Sequence, residues 1–97
     1  MSEASVTEKP KVIVYTSAWC GYCSGAKTLL SKKGVDFTEI RIDKEAGMRE
    51  EMEQRSGLTS VPQVFIGEQH VGGFDDLMAL DMDDELDPLL GIEDADD

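Results

Sequence analysis

The chain has 97 residues, 40% hydrophobic and 31% charged, enough for one small core but not two, and too apolar for a wholly unfolded protein. Its formal net charge is −12, and no run approaches the ~20 apolar residues of a membrane span, so nucleic acids and membranes are poor candidates as partners. From Asp75 to Asp97 there are 11 acids and no Lys or Arg, whereas residues 1–74 hold ten acids against nine bases; the acidic end reads as a solvated, solubilising surface.

Residues 1–9 are polar and aperiodic and read as a flexible arm without a secretory signal pattern, which sets the expectation of a cytoplasmic protein. Val12-Ile13-Val14-Tyr15 is an unbroken β-branched and aromatic run, the pattern of a strand covered on both faces. Gly21 to Lys33 predicts a helix, with Tyr22, Ala26, Leu29 and Leu30 on one stripe and Gly34 as its stop. Asp36 to Ile42 alternates and predicts a strand, with Thr38, Ile40 and Ile42 on one face. Asp43 is placed to cap a helix over Lys44–Ser56 that Gly57 ends. Val61–Ile66 and Gln69–Gly72 read as strands joined by a tight turn at Gly67-Glu68. Phe74–Leu80 and Asp84–Leu90 read as short helices, with Pro88 a threat to the second. The order β-α-β-α-β-β-α implies an α/β layer fold, a four-stranded mixed sheet flanked by helices on both faces, in one domain over residues 10–91 with an acidic tail at 92–97.

The chemistry concentrates at Cys20 and Cys23, the only cysteines. A closed zinc site wants four ligands, and only His70 and carboxylates could join two thiols, so redox chemistry is the better reading. The pair sits where a buried strand feeds a helix. There the unpaired N–H groups and the helix dipole favour an anion, and thiols so placed have pKa values down to about 3.5–7.5. Cys20, just ahead of the helix, is the expected nucleophile. Cys23, one turn in, is the expected resolving thiol, within reach of a disulfide. His70 has no geometric case for a catalytic base, and the methionines read as core filler. Trp19 is expected to shield one side of Cys20.

Three motifs in the right order resemble the dithiol glutaredoxins of the thioredoxin-like fold, specifically the small bacterial ones: Cys20-Gly21-Tyr22-Cys23, Ser60-Val61-Pro62, and Gly72-Gly73-Phe74-Asp75-Asp76-Leu77. The segments Arg49-Glu50-Glu51-Met52, Arg55-Ser56-Gly57 and Leu86-Asp87-Pro88-Leu89-Leu90 add to the likeness. The resemblance implies a glutathione-dependent thiol–disulfide oxidoreductase with Cys20 and Cys23 as catalytic pair. It implies a cis Pro62, with Ser60 and Val61 presenting backbone to the cysteine of glutathione. Gly73 and the N–H groups of Phe74 and Asp75 would take the γ-glutamyl carboxylate, Asp76 and Asp75 its ammonium, and Tyr22 would flank the groove. Implied partners are glutathione, glutathionylated or disulfide-bonded proteins, and indirectly glutathione reductase and NADPH, with the chain a monomer.

The chain departs from this pattern at three places. Ser17 and Leu58 stand where many relatives have Lys and Arg that bind glutathione carboxylates, leaving Lys11 and Arg49 as substitutes and implying weaker or rearranged binding. Gly21 replaces the commoner proline. Relatives with a small residue there can hold a [2Fe–2S] cluster between two subunits, each giving one cysteine and one bound glutathione, so a cluster-bridged homodimer is the alternative function. Service by thioredoxin reductase instead of glutathione is a third reading, disfavoured by Gly72-Gly73 and Asp75-Asp76.

Overall fold

The computed structural model describes residues 10–92. The arm at 1–9 and the acidic tail beyond residue 92 lie outside the described residues. Four strands, β1 (Val12–Thr16), β2 (Thr38–Arg41), β3 (Gln63–Ile66) and β4 (Gln69–Gly72), form one mixed sheet in the order β2-β1-β3-β4. Four helices complete the chain: α1 (Gly21–Lys32), α2 (Met48–Ser56), α3 (Phe74–Met82) and α4 (Leu86–Leu90).

β1 lies parallel to β2, with Ile13 opposite Thr38 and Thr16 opposite Arg41, and antiparallel to β3, with Val12 opposite Ile66 and Tyr15 opposite Gln63. The two central strands, β1 and β3, are the near-continuous apolar runs, because both of their faces are covered. Alternation along them feeds two cores. Val12, Val14, Val64 and Ile66 pack with Ala26, Leu30, Leu77, Leu86 and Leu90 of α1, α3 and α4. Tyr15 and Phe65 pack on the opposite face with Met52 of α2 and with Ile42, just past β2. The four-stranded mixed sheet with helices on both faces is the thioredoxin-like arrangement expected from the sequence.

β2 and β3 each start two residues later than predicted, and three helices differ from expectation. α2 begins at Met48, four residues later than predicted, and Asp43 does not cap it. The Asp43 carboxylate is taken by Arg41, at 2.9 and 2.8 Å, and by the Ala18 N–H at 3.2 Å. Gly47, at φ +82°, blocks an earlier helical start. α3 runs on to Met82, two residues further than predicted. α4 is shorter than predicted, since Asp84 adopts φ +62°. Pro88 does not break α4: it occupies the first turn, where a missing N–H costs no intrahelical bond.

The β3–β4 pairing slips by one residue at Val64/Phe65, so Phe65 faces His70 while Val64 faces Gly72. Such a bulge bends its strand. It delivers Gly72, at φ +117°, to the start of α3 beside the carboxyl-terminal end of β1, where α1 begins. No helix among the described residues is long and apolar enough to cross a membrane.

Candidate active site

Cys20 is the N-cap of α1, in extended conformation (φ −114°, ψ 106°), and its half-buried sulfur accepts the backbone N–H of Cys23 at 3.2 Å. That bond satisfies one of the donors a helix start leaves open. On its other side the Cys20 Sγ lies 3.8 Å from the Val61 carbonyl oxygen, next to the cis Val61–Pro62 bond. Cys23 is buried. Burial foremost, and then its hydrogen bond with Cys20, pushes its thiol up to about 12. Both sulfurs are free thiols. The pair therefore consists of one accessible sulfur at a helix terminus and one concealed, protonated sulfur a turn away.

A groove of about 330 Å³ opens beside Val61, lined by Tyr22, Leu58, Ser60, Val61, Pro62, Gln63, Gly73, Phe74, Asp75 and Asp76. All eight residues matched to the family's groove meet here, although they come from three separate segments. Tyr22, two-thirds exposed, leaves the core stripe the sequence suggested and stacks on Phe74, ring centroids 6.0 Å apart. The Asp76 carboxylate accepts the Gly73 N–H at 3.1 Å, closing the start of α3. A Cβ on Gly72 would collide with that same carboxylate, so only glycine lets the chain turn so closely.

Two expected residues are not brought in. Lys11 precedes β1 and lines a separate cavity at the far end of the sheet, with Lys33, Val35 and Leu90. The reason is topological: the site lies where β1 ends. Arg49 is outside the groove lining, with its guanidinium toward Glu53 at 3.9 Å. His70 bonds Gln63 at 2.7 Å rather than serving Cys20. Trp19 is fully exposed, at φ +60°, and shields nothing.

Two contributors escaped the sequence reading. The sequence marks Gln63 only as part of a strand, yet it lines the groove. Gly25 lets Phe74 approach α1, since a Cβ there would stand 2.9 Å from the Phe74 ring. Neither a buried amide nor a close ring contact has a signature in residue spacing.

The opposite flank of Cys20 carries balanced charge. Lys27 and Thr16 bond Glu39 at 2.9 and 2.7 Å and hold its carboxyl below the usual range. Arg41 holds Asp43 at about 2. Among the described residues no three His, Cys, Asp or Glu side chains converge as a metal site.

The glutaredoxin family model matches residues 12–71, a stretch running from β1 through the dithiol and cis-proline segments to β4. This chain belongs to the glutaredoxin family. It is 60% identical over 79 residues to glutaredoxin 3 of Escherichia coli, covering 81% of this chain and 95% of that one. It is 54% identical over 81 residues to a glutaredoxin of Pseudomonas aeruginosa, covering 84% and 96%. Among solved structures it matches a buckwheat glutaredoxin–glutathione complex with a TM-score of 0.78 at 34% identity, covering 91% of this chain and 86% of that one. A Brucella melitensis glutaredoxin matches with a TM-score of 0.76 at 48% identity, covering 86% and 90%. As a glutaredoxin, the chain is a small bacterial-type thiol–disulfide oxidoreductase, consistent with its one exposed and one buried sulfur.

Proposed function

We propose that this glutaredoxin uses glutathione to reduce protein–glutathione mixed disulfides and protein disulfides, with Cys20 as nucleophile and Cys23 as resolving thiol. The observation that carries the reading is the groove beside Val61. One end touches the neighbourhood of the Cys20 sulfur; the other ends at the N-terminus of α3 and two carboxylates, Asp75 and Asp76. A helix start favours an anion and paired carboxylates favour a cation. An α-amino acid terminus carries both charges on one carbon, which is what the γ-glutamyl end of glutathione would present. The Val61 backbone, Ser60 and Pro62 would take the central cysteine, and Tyr22 and Phe74 would wall the groove. The buckwheat relative is a glutaredoxin–glutathione complex, which supports glutathione as the ligand.

In the cycle, the Cys20 thiolate attacks the glutathione sulfur of a protein–S–S–glutathione bond. A Cys20–glutathione disulfide forms, and the protein thiolate leaves and takes up a proton. A second glutathione thiolate attacks the glutathione sulfur of that disulfide, releasing oxidised glutathione and the Cys20 thiolate. With a protein disulfide, Cys20 joins one substrate sulfur and Cys23 then attacks Cys20, leaving Cys20–Cys23 oxidised for two glutathiones to reduce. Cys23 waits as a thiol because burial foremost, and then its hydrogen bond with Cys20, oppose its ionisation. Glutathione reductase and NADPH would regenerate glutathione.

A [2Fe–2S] cluster needs four ligands. This chain offers one accessible sulfur, Cys20, so three would have to come from outside it, and no step here is assigned to a cluster.

The test is turnover of a glutathione mixed disulfide coupled to glutathione reductase and NADPH, run beside a thioredoxin-reductase-coupled assay. Activity in the first alone is expected, abolished by Cys20→Ser and kept by Cys23→Ser, which should lose only protein-disulfide reduction. Activity served by thioredoxin reductase and not by glutathione would refute the reading.

A further inference from the structure

Gln63 is a buried polar residue, 1% exposed, at the first position of β3 and directly after Pro62. Its Nε2 donates to the Ser60 carbonyl at 3.0 Å and lies 3.3 Å from the Ser60 hydroxyl. A carbonyl only accepts, so the amide has one workable orientation, nitrogen toward Ser60 and oxygen toward His70. His70 Nε2 lies 2.7 Å from that oxygen and must therefore carry the proton and donate it. The His70 ring is itself held against Phe65, centroids 4.8 Å apart, in the β3–β4 register that places these two residues opposite each other. Every polar atom of the Gln63 side chain is thus committed.

The segment this amide grips has no regular structure between Gly57 and Pro62. Its first half is tied by Ser56, whose hydroxyl accepts the Leu58 N–H at 3.0 Å. Its second half is tied by Gln63. Ser60 adjoins Val61, whose carbonyl oxygen sits 3.8 Å from the Cys20 sulfur. A groove whose wall must be re-ordered as its occupant enters binds more weakly than one already in place.

We propose that Gln63, oriented by His70, is a positioning residue that fixes the Ser60–Pro62 segment, so that Val61 is held against the Cys20 sulfur and presents the groove in the form its occupant binds. This rests on the glutathione reading of that groove. Neither side chain exchanges electrons or protons with the substrate; the relay acts by geometry, on binding rather than on the sulfur chemistry.

The experiment measures KM and kcat of the full chain for the mixed disulfide of glutathione and cysteine, in the reductase-coupled assay, from pH 6 to 8.5. In Gln63→Glu a carboxylate oxygen faces the Ser60 carbonyl and repels it, whereas a neutral carboxyl group can donate to it. The groups around this position are His70 on β4 and, across the strand pair, Tyr15 with its bonded Glu51 and Arg55. Expected is a KM about tenfold above wild type at pH 8.5 with kcat within about twofold, and a variant-to-wild-type ratio that falls several-fold toward pH 6. Taking the ratio removes whatever pH dependence the two proteins have in common. His70→Gln retains an N–H donor and should stay within about twofold of wild type, while His70→Leu should raise KM. Should Gln63→Glu fail to fold, Gln63→Met, which cannot donate to Ser60, should raise KM at every pH without the trend. Gln63 variants with wild-type KM, or with losses confined to kcat, would overturn the positioning role while leaving the glutathione reading intact. A wild-type chain inactive with glutathione would overturn both.

Discussion

The Cys23 N–H points at the Cys20 sulfur from 3.2 Å, while the Cys23 side chain turns beneath α1 and is 2% exposed. One turn of helix thus makes two chemically different thiols. At pH 7.5 a thiol held at about 12 is ionised to only about three parts in 10⁵. Iodoacetamide should therefore alkylate Cys20 and spare Cys23 in the native protein, and label both after denaturation. Peptide mapping of the alkylated protein checks this, and equal native labelling would contradict the division of roles.

Gly72→Ala should be the most damaging single methyl in the site. The residue sits at φ +117°, and the added Cβ would strike the Asp76 carboxylate that closes α3. Backbone strain of about 1–3 kcal/mol and a lost cap of about 0.5–2 kcal/mol give an expected loss of about 1.5–5 kcal/mol in urea unfolding. Asp76→Ala in the same chain should add less than it does alone, because the first substitution has already displaced the carboxylate.

Gly25→Ala separates stability from binding. Alanine favours the helix by about 0.8–1 kcal/mol, but its Cβ would press on the Phe74 ring at 2.9 Å. The ring can give way only by disturbing its stack with Tyr22 at the groove. The unfolding midpoint should change little, while KM for a glutathionylated peptide rises about threefold or more with kcat retained.

Leu58, 47% exposed, lies on a groove whose lining contains Asp75 and Asp76 but no Lys or Arg among the described residues. Leu58→Arg would supply a cation for a glutathione carboxylate. An exposed ion pair is worth about 0.2–1 kcal/mol, so KM should fall about 1.5- to 5-fold, with the gain disappearing in 0.5 M salt. An unchanged KM at low salt would show that no ligand carboxylate comes near residue 58.

The two ends of the pH range should report different groups. Arg41 holds Asp43 at about 2 in the folded chain, against an ordinary 3.8. Its stabilising contribution is present above the ordinary value and is lost as pH falls from about 4 toward about 2. The contribution is small for so exposed a pair, and Asp43→Asn should flatten that limb of a thermal-melt profile. Cys23 behaves oppositely: its pKa rises from 9.0 to about 12 on folding. The native state therefore holds the extra proton between those values, and stability falls as pH climbs through them. Cys23→Ser should remove that alkaline slope.

The sheet and the dithiol were legible in the residues because each rests on a local rule. A doubly covered strand is apolar throughout, as Val12 to Tyr15 are. A glycine past the end of a helix marks its stop, as Gly34 and Gly57 do. A cysteine just ahead of a helix lies among open donors, as Cys20 does. Asp43 shows where that logic fails. An aspartate ahead of an amphipathic stretch ordinarily caps it, but here Arg41 and the Ala18 N–H compete for the carboxylate and win, and Ala18 is 25 residues away in sequence.

The sequence by itself determined the order of elements, the two-thiol chemistry and, through its matched motifs, the residues that meet around the groove. Only the tertiary structure decided that Lys11 lies at the wrong end of β1, that Tyr22 leaves the core to stack on Phe74, and that a buried amide at Gln63 ties Ser60 to His70. The first set depends on neighbours within a few residues. The second depends on strand direction, ring contacts and hydrogen bonds between segments far apart in the chain, which exist only once the sheet has brought them together.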